Sequence, residues 1–274
     1  MKELVFFCLL SVSSIAQDGA YYLRSSALML ATNRQPLDET AFFTAGRRAI
    51  PLDRLEAAGS TVQAYRARVF TYLAQKNYEE ATSWMEKMAD SYPREHGFIG
   101  ESYLSRLHDY NRALRHLQAY DALTTRLDDM IGNNPVSYLL GLTYRSLGDH
   151  PTAIRHFSIG IDSLSAKHGD EWVNYRHFVS RAVSYLAAGQ AEKALLDLTK
   201  AARNYGRSAL VAYHKGRALR QLNRLAEART AFEDASFLYK ALRAERTIDY
   251  QEDEYNPVYE EEIDEILNKL KAND

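Results

Sequence analysis

The fold is decided by residues 175–246, which read YRHFVSRAVSYLAAGQAEKALLDLTKAARNYGRSALVAYHKGRALRQLNRLAEARTAFEDASFLYKALRAER. Five positions in the first half of this stretch recur 34 residues later in the second half. The pairs are Tyr185 with Leu219, Gly189 with Asn223, Ala194 with Ala228, Leu198 with Phe232, and Ala201 with Ala235. A fixed period of this kind is the signature of a repeat architecture.

Each repeat is predicted to be a pair of antiparallel helices that cross at small side chains. Two helices pack closely only where one presents a small residue, with large residues on either side. The small residues are Ala182, Ala194 and Ala201 in one repeat and Gly216, Ala228 and Ala235 in the next. One hairpin cannot bury its apolar face alone, so we expect several hairpins to stack. Alanines facing water, or a sheet in the middle of the chain, would contradict this fold.

These residues resemble the tetratricopeptide repeat family, in which small and aromatic residues recur at fixed offsets. The resemblance covers roughly residues 62–246, and its best single match is the stretch 136–165. That match consists of Gly141, Tyr144, Leu147-Gly148, Ala153 and Phe157. The resemblance implies an all-α, right-handed solenoid of helix hairpins, closed by a C-terminal capping helix. It also implies protein–protein interaction along a concave face.

The N-terminus, residues 1–16, has the pattern of a signal peptide. Met1-Lys2 precedes the apolar run 4–12, and Ser14-Ile15-Ala16 offers small residues before a cleavage site. We expect cleavage near Ala16 and an exported protein, periplasmic or secreted, although a buried first helix remains the alternative. The run is too short to span a bilayer, which needs about 20 apolar residues. Together with the repeats, this end resembles envelope tetratricopeptide proteins of Gram-negative bacteria, especially the Bacteroidetes.

The remaining chain divides into a degenerate N-terminal helical pair over 17–61, repeats over 62–246, and an acidic linker with a capping helix over 247–274. Within the repeats, the unit 97–132 departs from the family pattern, because Glu101 stands where a small residue is expected. Its second helix is predicted to be long, continuing through Leu127 and Ile131 to the break at Gly132.

In the last segment, Asn256-Pro257 is predicted to begin the capping helix, since asparagine suits the N-cap and proline the first turn. The apolar residues Ile263, Ile266, Leu267 and Leu270 then recur at helical spacing, which predicts one buried stripe.

Composition and motifs argue against catalysis. The eight histidines show no metal-ligand spacing, and Cys8 is the only cysteine. Neither a glycine-rich phosphate loop nor a nucleophile elbow is present in the sequence. A formal net charge of −2 does not suit a general nucleic-acid binder. We therefore expect no catalytic residue, no cofactor, no metal, no nucleic-acid partner and no membrane span.

The family's concave surface is lined by side chains from the first helix of each repeat. Carried over by resemblance, the peptide-binding residues are Arg66, Phe70, Tyr138, Arg145, Arg176, Tyr213, Arg217 and Arg220. Arginines beside aromatic rings suit an extended peptide with carboxylates, through forked hydrogen bonds and cation–π contacts. The alternative is that these arginines are simply solvated. The lysine–asparagine clamp with which some family members bind chaperone tails has no match here.

Charge is distributed unevenly at the C-terminal end. Residues 203–246 carry ten Lys or Arg against four Asp or Glu, whereas residues 247–274 carry ten acidic residues against two basic ones. Opposite fields so close in sequence predict that the acidic segment is held against the last repeats. We expect the segment 250–255 to dock near Arg217 and Arg220, or to compete with a ligand there.

The sequence thus favours a non-catalytic, exported scaffold that binds a protein or peptide along the concave groove. Two alternatives stay open. One is a structural subunit of a cell-envelope assembly that uses convex or end surfaces, which a large exposed apolar patch would favour. The other is a carbohydrate- or small-molecule-handling protein, which a deep pocket with convergent polar groups would favour. The sequence identifies neither the partner nor the oligomeric state.

Overall fold

A computed structural model describes residues 59–123, 128–245 and 253–271 of the chain. The predicted signal peptide 1–16 lies outside the described residues, as does the predicted helical pair 17–61 up to residue 58. The chain divides into two compact units, Met1–Met85 and Glu86–Asp274. Each unit is described by itself below.

The first unit contributes helix α1, Val62–Ala74, and the first part of helix α2, Tyr78–Ser91. Thr61 caps α1, since its side chain accepts a hydrogen bond from the backbone N–H of Ala64 at 3.2 Å. The buried Arg68 guanidinium lies 4.5 Å from the Trp84 ring and donates from Nη1 to the carbonyl of Gly59 at 2.8 Å. This cation–π contact fixes the α1–α2 pair within the unit.

The second unit contains nine further α-helices among its described residues, most of them joined in hairpins. They are α3 His96–Ser102, α4 Tyr110–Leu123, α5 Val136–Ser146, α6 His150–His168, α7 Tyr175–Ala187, α8 Ala191–Asn204, α9 Ala209–Gln221, α10 Leu225–Glu245 and α11 Glu260–Lys271. Short 3₁₀ turns precede α3 at Pro93–Glu95 and α7 at Asp170–Trp172. The hairpins are α3–α4, α5–α6, α7–α8 and α9–α10, and each contacts the next.

The turns inside three hairpins are built in the same way. Gly148, Gly189 and Asn223 follow their first helices with φ of +84°, +70° and +58°. The residue after each donates its backbone N–H to a carbonyl five positions earlier, as from Asp149 to Tyr144 at 2.9 Å. This is a Schellman ending, which satisfies the last carbonyls and turns the chain back on itself. Its recurrence explains why Gly189 and Asn223 lie one repeat apart.

The helix crossings occur at the small residues that the sequence predicts. A Cβ added to Gly141 would lie 2.6 Å from Phe157 Cδ1, and one added to Gly216 would lie 2.9 Å from Phe232. The crossing alanines are fully buried, namely Ala182, Ala194, Ala201, Ala228 and Ala235. The stacked, all-α hairpin fold is therefore confirmed. Among the described residues, the only sheet is a pair of two-residue strands in the connection at 130–135, and it takes no part in the helix crossings.

In the hairpin α3–α4, where Glu101 stands at the position expected for a small residue, the neighbouring Gly100 provides the small residue at the crossing. A Cβ on Gly100 would lie 2.7 Å from Leu117 Cγ, so Gly100 occupies the crossing and Glu101 stands beside it. Gly100 and Leu117 are 17 positions apart, whereas Gly141 and Phe157, like Gly216 and Phe232, are 16 apart. A π-helical turn at Tyr103–Leu107 follows α3 and absorbs the extra residue.

The prediction of a long second helix in the repeat 97–132 is wrong. Among the described residues α4 ends at Leu123, Leu127 lies outside them, and Ile131 belongs to a two-residue strand instead. That strand, Met130–Ile131, pairs antiparallel with Asn134–Pro135 across a turn in which Gly132 has φ of +58°. Glycine adopts the left-handed conformation of Gly132 without steric cost, and proline at 135 disfavours a helix that would run through it. The chain therefore forms a tight turn here in place of a continued helix.

The last helix, α11, covers the end of the repeats. Ile263 and Leu267 are buried in one cluster with Phe232, Ala235 and Tyr239, as their helical spacing predicts. Its predicted beginning at Asn256-Pro257 is wrong, since α11 begins at Glu260. Asn256 is instead drawn into the body of the unit by side-chain hydrogen bonds, which outweigh its local preference for a helix cap.

Candidate peptide-binding groove

The first helices of three hairpins, α5, α7 and α9, contact one another in sequence and form one face of the second unit. Two side chains of α5, Tyr138 and Arg145, lie about two helical turns apart and so share one side of the helix. Arg176 and Ser180 lie one turn apart on α7. We call these four residues, Tyr138, Arg145, Arg176 and Ser180, the groove site.

The groove site holds a segment of the chain's own C-terminal region, Asp253–Asn256, which we call the occupying segment. Arg145 donates from Nη1 to Asn256 Oδ1 at 2.6 Å and from Nη2 to the carbonyl oxygen of Tyr255 at 2.7 Å. The Asn256 amide in turn donates from Nδ2 to Ser180 Oγ at 3.1 Å. Asn256 is only 5% exposed, so these bonds replace nearly all of its contact with water.

Asp253 organises the occupying segment and also binds the groove. Its Oδ1 accepts hydrogen bonds from the backbone N–H groups of Tyr255 at 3.0 Å and Asn256 at 2.8 Å. This is an Asx turn, in which a side chain takes the place of a backbone carbonyl. Its Oδ2 lies 3.2 Å from Arg176 Nε, so one carboxylate shapes the turn and pairs with a groove arginine.

Burial and charge at the site shift the pKa values of the groove residues. Burial lowers the pKa of the Arg145 guanidinium, and the nearby Tyr138 and Asp253 oppose that shift. Burial raises the pKa of the Tyr138 hydroxyl, and Asp253 raises it further. The Tyr138 hydroxyl lies 2.9 Å from Ser180 Oγ, so Tyr138, Ser180 and Asn256 form a continuous buried polar chain.

Two fully buried histidines support this face from below. His177 Nε2 lies 3.2 Å from Asn134 Oδ1, and its ring lies 4.0 Å from that of Tyr138. Burial lowers the pKa of His177 to about 3. Burial, followed by the charges of Arg217 and Arg145, holds the pKa of His214 well below its ordinary value. Both imidazoles are therefore neutral at pH 7, and they add no charge of their own beneath the groove arginines.

The predicted groove residues fall into three groups. Tyr138, Arg145 and Arg176 come together around the occupying segment. Tyr213 donates from its hydroxyl to Glu262 Oε2 at 3.2 Å, which ties α9 to α11.

Tyr213, Arg217 and Arg220, all on α9, form the second group. Arg217 Nη1 lies 3.3 Å from His214 Nδ1, and Arg220 is exposed further along α9. Arg66 and Phe70, both half-buried, form the third group and lie on α1 in the first unit.

The prediction that the acidic segment docks near Arg217 and Arg220 is wrong. Asp253 and Tyr255 are held by Arg176 and Arg145, not by Arg217 and Arg220, and residues 250–252 lie outside the described residues. Sequence reasoning also missed Ser180, which falls between the positions selected by resemblance, and Asn256. The one available signal was that Asn256 lies at the edge of a strongly acidic stretch.

A second cluster of ionisable groups lies beside α4. His96 Nδ1 is 2.7 Å from His116 Nδ1, and His116 Nε2 is 3.3 Å from Glu86 Oε1. Glu86 also accepts hydrogen bonds from the Tyr103 hydroxyl at 2.9 Å and from Arg115 Nη2 at 2.7 Å. These bonds link α2, α4 and the π-helical turn. Within the described residues, no group of three or more His, Cys, Asp or Glu is arranged to hold a metal ion.

Among the helices that the structure describes, none has both the length and the apolar character needed to cross a membrane.

Comparison with known proteins bears on the repeats directly. Residues 209–236, which contain the α9–α10 crossing, match the family described as the tetratricopeptide repeat. This stretch is similar to one tetratricopeptide repeat. No curated protein sequence matches the chain significantly.

Solved structures share this tetratricopeptide fold at low sequence identity. A crystal structure of MamA protein is 15% identical, covers 66% of this chain and 93% of its own, and gives a TM-score of 0.54. A tetratricopeptide repeat protein from Parabacteroides merdae is 14% identical over 89% of both chains, with a TM-score of 0.50. Yeast Tom70 is 15% identical over 92% of this chain and 46% of its own, with a TM-score of 0.53. At such identities, the likeness concerns the fold.

Proposed function

We propose that this chain is a non-catalytic scaffold, exported from the cytoplasm, that binds a protein or peptide partner along its first-helix face. The observation that carries the proposal is that Arg145, Arg176 and Ser180 hold a non-helical segment of polypeptide. Both a main-chain carbonyl and two polar side chains of that segment are bound. A surface that binds a non-helical segment of its own chain has the chemistry to bind one from another protein.

The rest of the face extends this chemistry along α9. Tyr213, Arg217 and Arg220 place an aromatic ring and two guanidinium groups on the next first helix. The Arg217 guanidinium carbon lies 5.9 Å from the Tyr213 ring centroid, which orients it by a cation–π contact. An acidic peptide bound at the groove site is expected to continue across these side chains, since guanidinium groups favour carboxylates.

The test is selection of peptides from a displayed random library on the full chain, followed by charge reversal in the groove. We expect the selected peptides to be acidic and to lose binding when Arg217→Glu and Arg220→Glu are combined, or when Arg176→Glu is made. Lys193→Glu, on the exposed side of α8, is the matched control and is expected to leave binding unchanged. Selected peptides that ignore every groove reversal would contradict the proposal.

Export is proposed from the sequence of residues 1–16. We expect the protein, expressed in its native type of host, to lose these residues by cleavage near Ala16. Intact mass measurement of the recovered protein checks this. Retention of Met1 and the apolar run in the folded product would remove the export proposal and leave the groove proposal untouched.

One observation favours the assembly alternative as a second candidate. The second helices α6, α8 and α10 expose Ile159 at 52%, Leu196 at 67% and Phe237 at 71% of their surface. At 3.6 residues per helical turn, each of these residues lies on the side of its helix that faces away from the buried crossing alanine, namely Ala153, Ala194 or Ala228. Analytical ultracentrifugation of Leu196→Ser with Phe237→Ser tests it. A smaller assembly than wild type supports a structural role for this face, and an unchanged one contradicts it.

A further inference from the structure

The occupying segment is recognised through a compact set of groups. Asp253 Oδ1 accepts two backbone N–H groups and, at 3.1 Å, the Asn256 side-chain amide, so the turn is ordered from within. The groove then contacts the Asp253 carboxylate, the Tyr255 carbonyl and the Asn256 amide. Glu254 and Pro257 remain exposed. The side chains that the groove site recognises are therefore an aspartate and an asparagine three residues later.

Asn256 is the most selective element of this pattern. Its Oδ1 accepts from Arg145, and both of its N–H donors are used, one by Ser180 Oγ and one by Asp253 Oδ1. An aspartate in its place would supply no donor for Ser180, and an aliphatic side chain would leave Arg145 without its 2.6 Å partner. A buried site that satisfies all three groups discriminates strongly against side chains that lack one of them.

The occupying segment and α11 are held by different contacts. Ile263 and Leu267 bury α11 against the α9–α10 core, and Glu262 accepts from Tyr213. The occupying segment contributes no member to that apolar cluster and is attached to α11 through residues 257–259. Its departure from the groove site therefore breaks these polar contacts and exposes the partly buried Tyr255 side chain, but it breaks none of the apolar contacts that hold the capping helix in place.

We propose that Asp253–Asn256 is an intramolecular competitor for the groove site, and that the partner is a protein segment presenting the same Asp-x-x-Asn turn within an acidic stretch. This rests on the proposed function and identifies the chemistry of its ligand. The partner displaces the occupying segment, so affinity is set by the difference between two similar turns. The tethered copy has the advantage of a high effective concentration.

The experiment uses the full chain with Asp253→Ala and Asn256→Ala, which we call the vacated variant. The probe is a fluorescent, end-blocked peptide with the sequence of residues 250–259, YQEDEYNPVY. By fluorescence anisotropy we expect the vacated variant to bind the probe at least tenfold more tightly than the wild-type chain does. A probe with alanine in place of its asparagine is expected to lose at least tenfold in affinity for the vacated variant.

Matched arginine variants locate the binding. In the vacated variant, Arg176→Ala is expected to lower the affinity for the probe at least fivefold, whereas Arg220→Ala is expected to change that affinity by less than twofold. Circular dichroism confirms that each variant is folded. If the double substitution fails to fold, Asn256→Ala alone replaces it, because Asp253 then still pairs with Arg176 and shapes the turn.

The proposal is overturned if a folded vacated variant binds the probe no better than wild type does, or if Arg176→Ala and Arg220→Ala have equal effects. Failure of the proposed function is a separate result. Library peptides that depend on Arg217 and Arg220 while the probe does not bind would preserve the scaffold and reject the competitor. Library peptides that ignore the whole face would reject the scaffold itself.

Discussion

Two pairs of arginines on the first-helix face have the same residue type, and the sequence pattern assigns them the same role, but they differ in what they contact. Arg145 holds the occupying segment through two hydrogen bonds of 2.6 and 2.7 Å, and Arg176 holds it through a 3.2 Å ion pair with Asp253. Arg217 has a 3.3 Å contact with His214, and Arg220 is exposed. The difference shows that a repeat offset selects positions on a face, whereas a complementary segment decides which of them is desolvated and engaged.

The largest effect is expected from removing Arg145, which donates two hydrogen bonds to the occupying segment. Arg145→Ala leaves Asn256 Oδ1 and the Tyr255 carbonyl without their donor in a buried site. The loss is expected to lower the free energy of unfolding by about 3 kcal/mol. The matched change Arg220→Ala, on the exposed end of α9, is expected to cost less than about 0.5 kcal/mol. Urea denaturation followed by circular dichroism measures both values, and equal effects would abolish the distinction between the two pairs.

Acidification is expected to lower the stability of the fold near both pairs of arginines, because each pair has a fully buried, neutral histidine nearby. These are His177 on α7 and His214 on α9. The folded pKa values of His177 and His214 are depressed by burial, so their contribution is complete above the unfolded pKa of about 6.5 and falls as the pH drops below it. Between pH 7 and pH 5 His177 is expected to reduce the free energy of unfolding by about 2 kcal/mol, and His214 is expected to act in the same direction. His177→Gln and His214→Gln should each flatten the pH dependence over this range. A wild-type stability that stays constant from pH 7 to pH 5 would contradict the burial of both rings as neutral groups.

A smaller effect is expected at the Asp253–Arg176 pair. Asp253→Asn keeps an oxygen that accepts the two backbone N–H groups of the turn, but it removes the charge that faces Arg176. Because Arg176 is partly exposed, we expect a loss of about 1 kcal/mol, decreasing as salt is added. Glu261→Gln, an exposed charge on α11, is the control and should show neither effect. Equal stability of Asp253→Asn and wild type at low salt would show that the turn alone holds the segment.

The smallest effect is expected at Arg217. Its 3.3 Å contact with His214 and its position beside the Tyr213 ring predict that Arg217→Ala costs less than about 1 kcal/mol. Thermal denaturation of this variant beside Arg145→Ala compares the two pairs directly. A melting temperature lowered as far as that of Arg145→Ala would place Arg217 among the engaged arginines.

The sequence predicts the repeats well because their packing is local. The 34-residue spacing, the crossing alanines and Gly216 against Phe232 follow from one helix meeting its neighbour within a hairpin. The α3–α4 hairpin is predicted less well, because a π-helical turn shifts the crossing to Gly100 by one residue. The spacing rule for regular helices cannot anticipate such an insertion.

The occupying segment could be predicted only in outline, because its contacts join distant parts of the chain. Opposite charges at the C-terminal end indicate docking, but long-range charge does not choose among several arginines. The sequence predicts a helix cap at Asn256, since capping is the strongest local role for an asparagine before a proline. Its bond to Arg145 spans 111 residues, and no local pattern encodes that pairing.

The most direct test is a double-mutant cycle on Arg145 and Asn256. Arg145→Ala, Asn256→Ala and the double variant are compared with wild type by urea denaturation at pH 7. If the occupying segment lies in the groove site, the two changes should be non-additive by about 2 kcal/mol, while the matched cycle of Arg217→Ala with Asn256→Ala should be additive within about 0.5 kcal/mol. Additive effects of Arg145→Ala and Asn256→Ala would contradict the contact on which the groove, its ligand and its competitor all depend.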